Sequence, residues 1–150
     1  MSLAFGAHIP FVEHLGFTLE RFAGGESELY FAPRPEHLNS FAVTHGGACM
    51  TLLDVAMATA ARSMQPELGV VTIEMKTSFM RPARLADDAP PGAVLRAQGR
   101  LLHRTASMAF TEATLYDDAG RACAHATGTF KYVRRPQASS GAPEPSLATD

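Results

Sequence analysis

Between residues 46 and 61, sixteen consecutive positions carry a single charge, Asp54. This run reads as the chain's one convincing helix. A helix that is apolar almost all round is a buried one. Its small residues Ala48, Ala56, Ala58, Ala60 and Ala61 let other elements approach closely. Pro66 and Gly69 stop it, so the helix is expected over residues 46 to about 64.

The rest of the chain reads almost entirely as β. Residues 17–22 and 26–32 form two strands around Gly24-Gly25, a hairpin signal. In the second, Glu26, Glu28 and Tyr30 point one way and Ser27, Leu29 and Phe31 the other. Pro33 and Pro35 end it. A loop follows through Asn39 to His45. Residues 70–80 alternate, with Val71, Ile73, Met75, Thr77 and Phe79 on one face and Thr72, Glu74, Lys76 and Ser78 on the other. Strands over 93–102, 106–116 and 121–133 follow, the last two joined by the turn Asp117-Asp118-Ala119-Gly120. Residues 9–15 read as a short opening helix. The expected fold is α+β, with one antiparallel sheet wrapped around one long central helix.

The chain's 150 residues fit one domain with one real core. No repeat or linker divides it, so a single domain is expected over residues 1–133. Residues 134–150, RRPQASSGAPEPSLATD, contain no aromatic residue and read as a disordered tail. Thirteen basic against fifteen acidic residues leave no excess to hold a nucleic-acid backbone. Cys49 and Cys123 form no CxxC, and no Cys/His pair has metal spacing, so neither a disulfide framework nor a metal site is expected. No stretch of about 18 apolar residues could span a bilayer. Residues 1–16 lack a basic start followed by an apolar run, so a reduced, cytoplasmic protein is the expectation.

Two features could carry chemistry. An ionised carboxylate amid a buried apolar helix is costly unless paired or hydrogen-bonded. Asp54 is therefore either a poised base or nucleophile, or a buried Asp bonded to neighbouring backbone. His45-Gly46-Gly47 opens the same helix. Free N–H groups of a first turn attract a developing oxyanion, and glycine lets a carbonyl come close. Alternatively, the glycines simply admit the chain into a packed helix, with His45 capping the loop. Gly46 and Asp54 are eight residues apart, ~12 Å of helix rise. That gap is long for one carbonyl carbon to use both. It favours a composite site in which a partner subunit supplies one of them.

The run from Asn39 through His45-Gly46-Gly47 to Asp54 resembles the signature of hotdog-fold acyl-CoA thioesterases. The closest types are the bacterial phenylacetate-pathway (PaaI-type) enzymes and the thioesterase superfamily member 2 group. In those families an Asn or Gln stands six residues before the His, and an Asp or Glu nine residues after it. Asn39 and Asp54 match both spacings. The likeness continues into residues 69–76 and 79–83 and covers roughly residues 10 to 133.

The resemblance implies a hotdog fold, thioester hydrolysis and a role for each matched residue. Asp54 would be the general base for water, or the nucleophile. The Gly46 N–H would polarise the thioester carbonyl, beside Gly47 in the substrate-binding loop. Asn39 would place the carbonyl or the leaving thiolate, Thr72 would position water, and His45 would brace the loop. Coenzyme A would be part of the substrate, with no separate cofactor. Its phosphates would lie along Phe79, Met80, Arg81 and Arg84 and the turn His103-Arg104-Thr105. His103 departs from the Gly usual at that turn. A homodimer, or a dimer of dimers, is implied. Two rivals remain at this stage: a hotdog dehydratase acting on hydroxyacyl thioesters, and an acyl-CoA-binding module without chemistry. The Asn39 and His-Gly-Gly pattern argues against the first, and the retained Asp54, Asn39 and Thr72 against the second.

Overall fold

The computed structural model describes residues 2–136. A short helix α1 (Pro10–Leu15) precedes the hairpin β1 (Thr18–Ala23) and β2 (Glu26–Phe31). The long helix α2 (Gly46–Arg62) follows, then β3 (Leu68–Phe79), β4 (Leu95–Arg104), β5 (Met108–Tyr116) and β6 (Ala122–Arg134). All the strands pair antiparallel in one six-stranded sheet, in the order β1-β2-β4-β5-β6-β3. One antiparallel sheet holding one long helix is the hotdog architecture that the sequence implies.

The core lies where α2 meets the sheet. Leu52, Leu53, Ala56 and Met57 are fully buried there, with Leu29, Leu95, Ala97, Leu115 and Phe130 from the strands. Alternation in β2 is as expected: Ser27, Leu29 and Phe31 are buried, while Glu26, Glu28 and Tyr30 are half-buried. The helix sits very close to the sheet at Gly99, where an added Cβ would overlap the Ala56 carbonyl oxygen. The Ser27 hydroxyl donates to that same oxygen at 2.6 Å. At the helix's far end the Tyr132 hydroxyl donates to Ala61 O at 2.8 Å.

Four details differ from the sequence expectations. First, the sheet covers only one side of α2. Ala48, Thr51, Asp54, Val55 and Ala58 are half-buried, and Gly47 and Met50 are exposed. The apolar surround that the sequence suggested is therefore incomplete among the described residues. Second, the alternation of β3 breaks. Thr72 pairs with Phe130 and Glu74 with Thr129, so Ile73 is an extra residue in a bulge. A bulge sets two residues against one and re-aims the side chains beside it. It turns Thr72 toward α2 and leaves Val71 and Ile73 exposed. Third, α2 ends at Arg62. Ser63 caps it, its hydroxyl donating to Ala60 O and accepting from Gly25 N. Fourth, β6 runs to Arg134, one residue into the segment expected as tail. Residues 137–150 of that tail lie outside the described residues. Among the described residues no helix is long and apolar enough to cross a membrane.

Candidate active site

Seven of the expected site residues line two separate cavities. Asp54 opens into the first, of about 670 Å³, between α2, the start of β3 and the segment around Gly6 to Ile9. The Thr72 hydroxyl donates to Asp54 Oδ1 at 2.7 Å. Burial raises the Asp54 carboxyl above the ordinary aspartate range, and the Thr72 hydrogen bond opposes that rise. A carboxylate held this way is a better proton acceptor than one in water, and its hydroxyl partner fixes where its oxygens point. The bulge at Ile73 is what brings Thr72 to it.

The second cavity, of about 450 Å³, lies at the N-terminus of α2. Asn39, Gly46, Phe79, Met80 and Arg81 all line it. Asn39 Oδ1 accepts from the N–H groups of Phe41 and Val43, at 2.9 and 3.3 Å, folding the loop back on itself. Ala42 within that loop takes the left-handed conformation, φ 58°. With Oδ1 occupied, the Asn39 amide nitrogen is the group left to face a ligand. His45 is the N-cap of α2: its Nδ1 accepts from Gly47 N at 2.8 Å, and its backbone N–H donates to His37 O at 2.8 Å. The imidazole thus takes up the Gly47 N–H and leaves the Gly46 N–H at the open end. The Phe79 ring flanks Gly46, 3.5 Å from where a Cβ would stand. Cys49 also lines this cavity, but burial pushes its thiol up to about 12, so it is no nucleophile near neutral pH.

The remaining expected residues are dispersed. Arg84 is exposed and outside the second cavity. His103 stacks on Phe110, centroids 6.2 Å apart. The Thr105 hydroxyl accepts from Ser107 and Met108 N–H groups and so shapes the β4–β5 turn, beside the half-buried Arg104. That turn lies at the opposite end of the molecule from Phe79–Arg84. Met108 pairs with Lys131, and Lys131 with Val71 near the start of β3. Val71 is ~26 Å of strand from Phe79. One chain therefore does not bring Asp54, Gly46 and both basic segments together. Among the lining residues that escaped sequence reasoning are Thr44, Arg62 and Arg135. The Thr44 hydroxyl is buried at the second cavity with no partner among the described residues, and Arg62 and Arg135 line the first. Thr44 sits within the signature run but at a position the motif does not specify, the arginines lie outside it, and only the tertiary fold gathers them.

Residues 41–124 match the family model of the thioesterase superfamily, and the chain belongs to that family. The fold is shared with the conserved protein PA5202 of Pseudomonas aeruginosa, at TM-score 0.76 and 25% identity over 85% of this chain and 97% of that one. It is shared also with a mutant form of the phenylacetic acid degradation protein PaaI of Thermus thermophilus, at TM-score 0.70 and 26% identity over 85% of this chain and all of that one. A candidate esterase of Caenorhabditis elegans, F42H10.6, is 32% identical over 77 residues. This stretch spans 51% of the chain and 42% of the nematode protein. By fold and family the chain is a hotdog-fold member of the thioesterase superfamily, similar in structure to PaaI.

Proposed function

We propose that this protein hydrolyses acyl-CoA thioesters in a site shared between two subunits. The observation that carries this reading is the Asp54–Thr72 pair, which stands on the half-covered face of α2 and opens into one cavity. The Gly46 and Asn39 donors open into another. A second copy packed on the uncovered face of α2 would bring one subunit's Asp54 to the partner's helix N-terminus.

In that site Asp54 takes a proton from water as the water oxygen bonds to the thioester carbon. Thr72 orients the carboxylate and the water. The Gly46 N–H, with the Asn39 amide beside it, holds the charge that develops on the carbonyl oxygen. Collapse breaks the carbon–sulfur bond, and the CoA thiolate takes up the proton. The products are a carboxylic acid and free CoA. Arg81, Arg84 and the His103–Thr105 turn offer cations and donors for the CoA phosphates.

The test is a panel of short, medium, long and aryl acyl-CoAs with a thiol-detecting reagent. Release of free CoA is expected for at least one class. A dehydratase or a binding module releases none, and silence across the panel overturns the reading.

A further inference from the structure

The cavity that Asp54 opens into ends at two arginines. Arg62, the last residue of α2, is only 8% exposed. Its Nη1 donates to Phe5 O at 3.1 Å and its Nε to Leu68 O at 3.4 Å. Its guanidinium also lies 5.9 Å from the centre of the Phe22 ring. Arg135 reaches back from beyond β6, with Nη1 donating to Gly6 O at 2.9 Å. Its Nη2 is buried and has no partner among the described residues. A Cβ on Gly6 would stand 3.4 Å from Arg62 Nη2 and 3.7 Å from Arg135 Nη2, so the two guanidiniums converge on one point.

Among the described residues no Asp or Glu is ion-paired with either arginine. Backbone carbonyls satisfy some of the donors but do not cancel the charge. Two permanent cations held together, one buried and one half-buried, repel each other and are costly unless an anion joins them. The other titratable lining groups do not supply one there. His8 is bound to Glu13 near the cavity rim, at 2.7 Å. Asp54 is eight residues up the helix from Arg62, ~12 Å of rise, and both side chains tilt toward the helix N-terminus, so that separation is kept. Ile9, Val55, Ala58 and Val70 line the space between.

The cavity thus runs from a carboxylate through an apolar middle to a pair of cations. Resting on the thioesterase reading, we propose that it holds an acyl group of medium length whose far end is itself a carboxylate. In that mode Arg62 and Arg135 bind the distal carboxylate while the thioester carbon lies at Asp54. The substrate class is the mono-CoA thioester of a dicarboxylic acid, and the arginines set the specificity.

The experiment compares suberyl-CoA with octanoyl-CoA, equal in chain length, in the wild type, Arg135→Met and Arg62→Lys. In parallel, calorimetry reads binding of monomethyl suberate, which carries one carboxylate, independently of turnover. A lost charge-assisted hydrogen bond costs about tenfold or more. The wild-type suberyl-to-octanoyl ratio of kcat/KM should therefore exceed about ten, and fall toward one in Arg135→Met. Monomethyl suberate should bind the wild type and lose about tenfold in affinity in the same variant. Arg62→Lys keeps the charge but loses the fork, so an intermediate ratio is expected if it folds; Arg135→Met alone carries the test if it does not. Octanoyl-CoA turned over as well as suberyl-CoA, with no binding of the monoester, overturns the proposal and leaves the hydrolase reading standing. Arginine-dependent binding of the monoester without CoA release from any thioester does the reverse.

Discussion

At the scale of single residues, the surroundings of Asp54, the proposed base, set its proton affinity. Burial raises its proton affinity, and the Thr72 hydroxyl moderates the rise. The active form of a base is the ionised one, so the rate should climb as Asp54 loses its proton. The acidic limb of a kcat/KM profile is expected above the ordinary aspartate range, and Asp54→Asn should abolish that limb. A positioned base contributes typically ~10²–10⁴-fold, so the variant should lose about that much turnover. Its stability should behave oppositely. A carboxyl whose proton affinity is higher in the folded state stabilises the protein below its unfolded pKa and loses that contribution as pH rises through the folded value. At neutral pH the ionised Asp54 is therefore a cost, and Asp54→Asn should melt at the same temperature or higher. Wild-type turnover in a well-folded variant would end the assignment. Asp117 shows the contrary sign. Burial alone would raise its carboxyl, but N–H groups of Arg121 and Ala119 and the Arg121 guanidinium bring it below the ordinary range. Asp117 therefore stabilises above the unfolded aspartate pKa, and the contribution is lost as pH falls through the lower folded value. In Asp117→Asn, thermal stability should drop at neutral pH, and its gap to the wild type should close in acid.

At the scale of elements, α2 and its neighbours show what a one-dimensional pattern carries. The long uncharged run announced the helix, because nothing else explains sixteen residues with one charge. Prolines and alternation announced the strands to within a few residues. The bulge at Ile73 was hidden, because alternating residues look the same whether or not one is skipped in pairing. That hidden step turns Thr72 toward Asp54. The spacing of Asn39, His45, Gly46 and Asp54 was legible as a motif, but their division between two cavities was not. Arg62 and Arg135 were illegible altogether, since their meeting depends on the chain returning to Gly6. The closeness of helix and sheet yields a test of its own. An added methyl at Gly99 has no room beside the Ala56 carbonyl. Gly99→Ala should destabilise by roughly 1–3 kcal/mol or more, as overpacking does, seen as a lower denaturation midpoint in urea. An unchanged midpoint would mean that α2 does not sit as close to β4 as described.

At the scale of the whole molecule, the unfinished face of α2 and the free edge of β3 argue for a second copy. Met50 on α2 and Val71, Ile73 and Phe79 on β3 are substantially exposed apolar side chains. Such surface is normally covered by a partner. A two-fold pairing puts the same face of both chains together and generates two equivalent sites. If each site takes Asn39 from one subunit and Asp54 from the other, the proposal has a sharp genetic consequence. Asn39→Ala removes a donor to the carbonyl, and such a loss costs as much as ~10²–10³ in rate. Thr72→Ala, which only orients, should cost less than either Asn39→Ala or Asp54→Asn. Asn39→Ala and Asp54→Asn homodimers should then both be nearly silent. In a hybrid dimer one site lacks both residues, and the other retains both. With free exchange about half the dimers are hybrids, so mixing equal amounts should restore about a quarter of the wild-type rate. The mixture is assayed after subunit exchange, with hybrids confirmed by differently tagged chains. Silence in demonstrated hybrids would place Asn39 and Asp54 of the same chain in one site, and the distance between the two cavities would then have to close by another route.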